Sequence, residues 1–180
     1  MSQLPFYLIT GLSGAGKSQA LQAFEDMGYH CVDNLPSELL ESFISLCLER
    51  DNPRPVAIIL DVREKDFVEQ FPDIKHEFDR PGVLLEVLFL EASDEELLNR
   101  YRESRRLHPL AAEGGLEEAI DVERKMLQPV RSDADIVVDT TRINPHQFKE
   151  LLIDLCHPEP EQRFVLVLTS FGFKYGVPRN

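Results

Sequence analysis

The chain has 180 residues, 43% apolar and 28% charged, with only 9 Gly and 12 Pro; that is enough for a buried core and excludes a disordered, fibrous or large multidomain protein. Its 32 acidic and 19 basic residues leave a net charge of −13, so its general field repels nucleic acid and anionic membranes, and any phosphate ligand has to be held locally. Cys31, Cys47 and Cys156 are an odd number at wide spacing, with no CxxC pair and no secretory leader, which predicts reduced, packed thiols in a cytoplasmic protein. The longest apolar runs, residues 56–60 and 83–90, fall far short of a membrane span, so no membrane partner is expected.

In chain order, an apolar run at 5–10 predicts a first strand, followed by a helix over 17–27 and a short strand at 29–32. A helix over 37–50 follows with Ser37 as its N-cap, then a strand at 56–60 and a helix over 65–78. The strand at 83–90 leads to a helix over 94–106 capped by Asp94, a helix over 116–130, a strand at 136–138 and a helix over 145–156. In that last helix, Asn144-Pro145 places Pro at the first helical position. Short apolar strands alternating with longer amphipathic helices are the pattern of an α/β protein whose mostly parallel sheet is flanked by helices. Residues 156–162 contain Pro158 and Pro160 and read as a linker. Beyond it, 164–168 opens another strand, which either joins the sheet or begins a second unit. The expected division is therefore a domain over 1–157 and a linker with the truncated start of another over 158–180.

The sharpest motif is Gly11-Leu12-Ser13-Gly14-Ala15-Gly16-Lys17-Ser18, which satisfies G-x-x-x-x-G-K-[ST] between a predicted strand and a predicted helix. Glycines let backbone N–H groups converge on a phosphate, and the helix N-terminus adds its dipole. In this reading Lys17 reaches the β- and γ-phosphates and the Ser18 hydroxyl ligates Mg²⁺. Such a site needs a second carboxylate for the metal at the end of a neighbouring strand; Asp61 has that placement. Asp33, after the short second strand, is a rival, with a natural use as the acid that handles an acceptor substrate in small P-loop kinases.

Residues 100–108 hold four arginines, Arg100, Arg102, Arg105 and Arg106, and lead into His108-Pro109. Arg102, Arg105 and Arg106 suit contact with transferring phosphates; the alternative is that cations at a helix C-terminus complement its macrodipole. His108 reads as structural. Residues 110–115, ending Gly114-Gly115, read as a lid hinge, and Arg131 receives no role.

The phosphate loop, Phe24-Glu25-Asp26-Met27-Gly28-Tyr29-His30-Cys31-Val32-Asp33-Asn34-Leu35-Pro36, Asp61-Val62-Arg63, Phe89-Leu90-Glu91-Ala92, Arg100-Tyr101, Arg105-Arg106-Leu107-His108-Pro109-Leu110 and Ser170-Phe171-Gly172-Phe173-Lys174-Tyr175-Gly176 together resemble the RapZ/YvcJ nucleotide-binding proteins of bacteria. The resemblance implies a kinase-like P-loop NTPase domain, an α/β/α sandwich that binds ATP and GTP with Mg²⁺ and hydrolyses them weakly. It carries the phosphate loop over to Gly11 through Ser18. It also carries a second, guanine-nucleotide site over to Asp61, Val62, Arg63 and Glu64, although relatives often have Asn at position 64. For Asp61 the metal and nucleotide roles compete. Relatives have a C-terminal domain, beginning near Ser170, that senses glucosamine-6-phosphate and binds small regulatory RNA to present it to a ribonuclease. The resemblance therefore implies that this chain keeps nucleotide binding and lacks those partners. A homo-oligomer is left open. Two rivals to a regulatory nucleotide-binding module stand: a small-molecule kinase using Asp33, and a partner-binding domain that a nucleotide merely stabilises.

Overall fold

A computed structural model describes residues 3–60, 67–104, 108–111 and 115–156. The expectations for Asp61, Val62, Arg63, Glu64, Arg105, Arg106, residues 112–114 of the hinge and everything from 157 to 180, which takes in all of the linker but Cys156, lie outside the described residues.

The strands are β1 (Leu4–Gly11), β2 (His30–Asp33), β3 (Val56–Ile59), β4 (Val83–Glu91) and β5 (Ile136–Asp139). The helices are α1 (Lys17–Asp26), α2 (Leu40–Leu48, entered through a 3-10 turn at Ser37–Leu39), α3 (Phe67–Glu77), α4 (Asp94–Ser104), α5 (Leu116–Ser132) and α6 (Pro145–Cys156). The five strands form one sheet in the order β2-β3-β1-β4-β5, and every pairing is parallel. A parallel sheet covered on both faces requires nearly continuous apolar strands, and Phe6, Leu8, Ile9, Val56, Ile58, Val87, Leu88 and Leu90 are fully buried. Neighbouring residues of a strand face opposite sides. Tyr7 meets Phe24 and Tyr29 under α1 and α6, whereas Phe6 meets Phe78 just past α3. Among the described residues, no helix is long and apolar enough to cross a membrane.

The helix starts refine the expected caps. Ser93, one residue ahead of the expected Asp94, caps α4: its Oγ accepts the Glu96 N–H at 3.3 Å, and Asp94 belongs to an acidic first turn that suits the helix dipole. At α6 the Asn144 Oδ1 accepts from the Gln147 N–H at 3.0 Å while the Gln147 Oε1 accepts from the Asn144 N–H at 3.1 Å, a reciprocal box ahead of Pro145. Pro72 and Pro129 lie inside α3 and α5, each giving up one backbone donor without ending its helix.

The C-terminus of α6 is buried and its last carbonyl is satisfied twice. The Tyr7 and Tyr29 hydroxyls both donate to the Cys156 carbonyl, at 3.2 and 3.1 Å. Burial pushes the Cys156 thiol up to about 12, the Tyr29 phenol up to about 12 and the Cys31 thiol up to about 11, and it raises the Tyr7 phenol as well. The three cysteines are free thiols, Cys47 and Cys156 buried, in keeping with packing roles.

Two outcomes follow from this packing. The fold keeps protons on thiols and phenols that the unfolded chain releases sooner, so stability is full below the ordinary thiol value of 9.0 and is lost as pH rises through 11 and 12. Thermal unfolding in reducing buffer should show Tm falling above that value, with a shallower fall in Cys156→Ala. In β1, Gly11 has φ +130, and a Cβ there would stand 2.0 Å from the Leu90 carbonyl oxygen of β4. Gly11→Ala should therefore cost about 3 kcal/mol or more in urea unfolding, because the obstruction is backbone and cannot rotate away.

Candidate phosphate-binding site

The loop that follows β1 is built from backbone constraints. Leu12 N–H donates to the Leu90 carbonyl at 2.9 Å, extending the hold of β4 one residue past the strand, and the Ala15 N–H closes a turn onto the Leu12 carbonyl at 3.1 Å. Gly16 enters α1 in the left-handed conformation at φ 106, which a side chain rarely adopts. Neither a side-chain cap nor an acidic residue occupies the first turn of α1. An oxyanion would supply what that end lacks. The Lys17 ammonium lies back along the loop, donating to the Gly11 and Leu12 carbonyls at 2.8 and 3.3 Å. Ser18 is exposed beside it.

A cleft of about 840 Å³ opens over the loop. Gly14, Lys17 and Ser18 line its floor, Arg100 and Tyr101 of α4 one wall, and Asn144 and Pro145 at the start of α6 the other. Arg100 is the arginine that the fold turns onto the loop. Its Nη1 donates to the Gly14 carbonyl at 3.0 Å and to Thr140 Oγ1 at 3.1 Å, its Nη2 to the Thr140 carbonyl at 2.8 Å, and its Nε to Glu96 at 2.9 Å. Thr140, buried just past β5, passes the hold on by donating to the Ala15 carbonyl at 2.9 Å. The end of β5 and α4 are thereby tied to the loop through one guanidinium, and Thr140 is itself held to the end of β4 by donating its N–H to the Glu91 carbonyl at 2.8 Å.

The other expected residues are distributed differently. Arg102 is exposed on the last turn of α4 and stands outside the cleft lining. Asp33 is exposed at the carboxyl end of β2, and the strand order sets it two strands away from β1 along the same edge of the sheet. Arg131 grips Glu91 at the end of β4 with two hydrogen bonds of 2.7 and 2.9 Å, a structural fork. Among the described residues there is no cluster of three or more His, Cys, Asp or Glu that could cage a metal. The donor set fits Mg²⁺, which takes one protein hydroxyl or carboxylate with phosphate oxygens and water and does not require an all-protein cage. Here the Ser18 hydroxyl at the cleft floor is such a donor.

Sequence reasoning missed a group behind the loop. Glu123 of α5, 1% exposed, accepts the Ser13 N–H at 2.9 Å on one oxygen and the Ser13 hydroxyl at 2.6 Å on the other, and His108 stands 3.2 Å from it. The signal was present: Ala119, Ile120, Leu127 and Val130 form the buried stripe of α5, and Glu123 is the acid within it.

Known proteins place this architecture. A shikimate kinase from Acinetobacter baumannii superposes with a TM-score of 0.60 at 18% identity, over 86% of this chain and 94% of that one. A gluconokinase from Sinorhizobium meliloti gives 0.53 at 16% identity, over 88% and 95%. These likenesses establish a kinase-like P-loop fold. In sequence, a "Nucleotide-binding protein" of Syntrophomonas wolfei is 45% identical over 99% of this chain and 60% of its own length. Another of that description from Lactiplantibacillus plantarum is 40% identical over 97% of this chain, again 60% of its own length. The chain thus spans about 60% of the length of the curated relatives it matches. The family model described as RapZ-like N-terminal domain matches residues 4–157, from the first residue of β1 to just past the last of α6, and the chain belongs to that family.

Proposed function

We propose that this chain is a regulatory nucleotide-binding domain that holds Mg·ATP or Mg·GTP on the loop from Gly11 to Ser18 and hydrolyses it slowly. The observation that carries the reading is the loop itself: three positive-φ glycines, Gly11, Gly14 and Gly16, lead into an uncapped helix start beneath a cleft large enough for a nucleotide. The loop N–H groups and Lys17 bind the phosphates, with the Lys17 ammonium leaving the Gly11 and Leu12 carbonyls for them. The Ser18 hydroxyl holds Mg²⁺, which would supply charge neutralisation between the phosphates. Asp61 is assigned either to that metal or, with Val62, Arg63 and Glu64, to a second nucleotide site. Arg105 and Arg106 are assigned to the transferring phosphate and Arg100 to holding the loop; Arg102, exposed outside the cleft lining, is given no phosphate contact. The relatives' additional length suits a partner domain that reads the nucleotide state. The small regulatory RNA, ribonuclease and glucosamine-6-phosphate that the resemblance implies are assigned to that domain, and the nucleotide-binding domain to the cytoplasm.

A second reading is favoured by the exposure of Asp33 at the carboxyl edge of β2, on the side of the sheet where open α/β folds place their ligands. There it would orient an acceptor, and the domain would be a small-molecule kinase.

Thermal unfolding with Mg·ATP and Mg·GTP tests the first reading. At a hundred times Kd, binding to the folded state should raise Tm by roughly 5–10 °C, and no shift with either nucleotide sinks it. Lys17→Ala should weaken binding about a hundredfold with the fold retained; unchanged affinity removes the assigned role of Lys17. Following the γ-phosphoryl group across a metabolite panel separates the two readings. Release as inorganic phosphate that Asp33→Asn leaves unaltered supports the regulatory domain, and stoichiometric transfer that Asp33→Asn abolishes supports the kinase.

A further inference from the structure

Glu123 is the one acidic side chain buried among the described residues, and a carboxylate in that position persists only if its oxygens are satisfied. Three donors reach it: the Ser13 N–H at 2.9 Å, the Ser13 hydroxyl at 2.6 Å and His108 Nε2 at 3.2 Å. The tautomer of His108 is fixed from its other side. The Leu110 N–H donates to Nδ1 at 3.1 Å, so Nδ1 is the acceptor and Nε2 carries the hydrogen directed at Glu123. His108 is itself 4% exposed, and its ring centroid lies 5.2 Å from that of Tyr101. Tyr101 in turn closes on the loop, its Cε2 lying 3.3 Å from where a Cβ on Gly14 would stand. The tip of the loop, Ser13-Gly14, is thus enclosed by a carboxylate behind, an aromatic ring on its flank and the Arg100 guanidinium on the Gly14 carbonyl.

The order of the three polar groups decides what they do. In a nucleophilic triad the imidazole stands between hydroxyl and carboxylate and takes the hydroxyl proton. Here the carboxylate stands between, and the imidazole touches it alone, so the trio holds a shape and does not activate Ser13.

We propose that Glu123 is a positioning residue for the phosphate loop. By accepting both donors of Ser13 it fixes the turn between Leu12 and Ala15, and His108 fixes Glu123, so the loop is set for an anion before one arrives. One consequence is specific: the Ser13 N–H is occupied by Glu123 and is not among the donors offered to phosphate, which come from the residues after it. The proposal rests on the reading that this loop holds nucleotide phosphates.

Two measurements on the wild type, Glu123→Gln, Ser13→Ala and the double variant test it. Glu123→Gln keeps the volume but removes the charge: its oxygen can take the place of Oε2 only if its NH2 donates to the Ser13 hydroxyl, which replaces charge-assisted hydrogen bonds with neutral ones of about half the strength. Without nucleotide, amide hydrogen exchange across residues 11–18 should quicken in both single variants while peptides from β4 keep wild-type rates. Unchanged exchange across 11–18 overturns the proposal. With Mg·ATP and Mg·GTP, each single variant should bind about tenfold more weakly. The double variant should bind no more weakly than the worse single, as one shared interaction requires. Additive losses, or wild-type affinity in Glu123→Gln, overturn the proposal. A general loss of stability would quicken β4 as well and would not give that coupling. Should Glu123→Gln fail to fold, Ser13→Ala alone decides by the same exchange and affinity criteria. A wild type that binds neither nucleotide sinks the functional reading, while the exchange experiment still decides this one.

Discussion

β1 is the middle strand of the five, paired through four residues to β3 along one edge and through eight to β4 along the other, and its last residue is still in register with Leu90. A strand held on both edges cannot shift when the loop beyond it is loaded. The phosphate loop therefore begins from a fixed point, and the cost of that fixity falls on Gly11, where the approach of the Leu90 carbonyl leaves no room for a side chain. Once β1 is set, Leu12 is anchored to β4, α1 leaves through Gly16, and the positions of Lys17 and Ser18 follow from the first turn of a helix.

The acidic balance of the chain takes a particular form at this site. An overall charge of −13 offers nothing to an anion at long range, yet the loop presents backbone dipoles, one ammonium and one guanidinium within a single cleft. The nearest buried negative charge, Glu123, is turned to the back of the loop, where the Ser13 donors and His108 satisfy it. Binding chemistry of this kind is local by construction, and the remaining surface is left free to be acidic.

Much of this was legible in the sequence because it depends on short-range pattern. The alternation of apolar runs and amphipathic helices marked each of the five described strands to within a few residues, and the phosphate loop was visible from its fixed glycines and Lys17. What escaped were contacts that no local pattern encodes. Ser13 and Glu123 are 110 residues apart, and Arg100 and Thr140 are 40 apart. Four arginines in close succession look alike in a sequence, and only helical phase decides that Arg100 faces the loop while Arg102 faces solvent. The displaced cap of α4 is a smaller instance: Ser93 and Asp94 are both good capping residues, and β4 ending at Glu91 fixes which of them stands at the turn.

The double hydroxyl contact at the end of α6 has a mechanical meaning. Tyr7 lies on the strand that enters the phosphate loop and Tyr29 just beyond the helix that leaves it, and both hold the same carbonyl oxygen of Cys156. Three elements therefore meet at one atom, and any tilt of α1 against β1 must lengthen one of those two bonds or drag the helix end with it. The end of α6 is thereby seated at a single atom against both the strand that enters the phosphate loop and a residue just beyond the helix that leaves it.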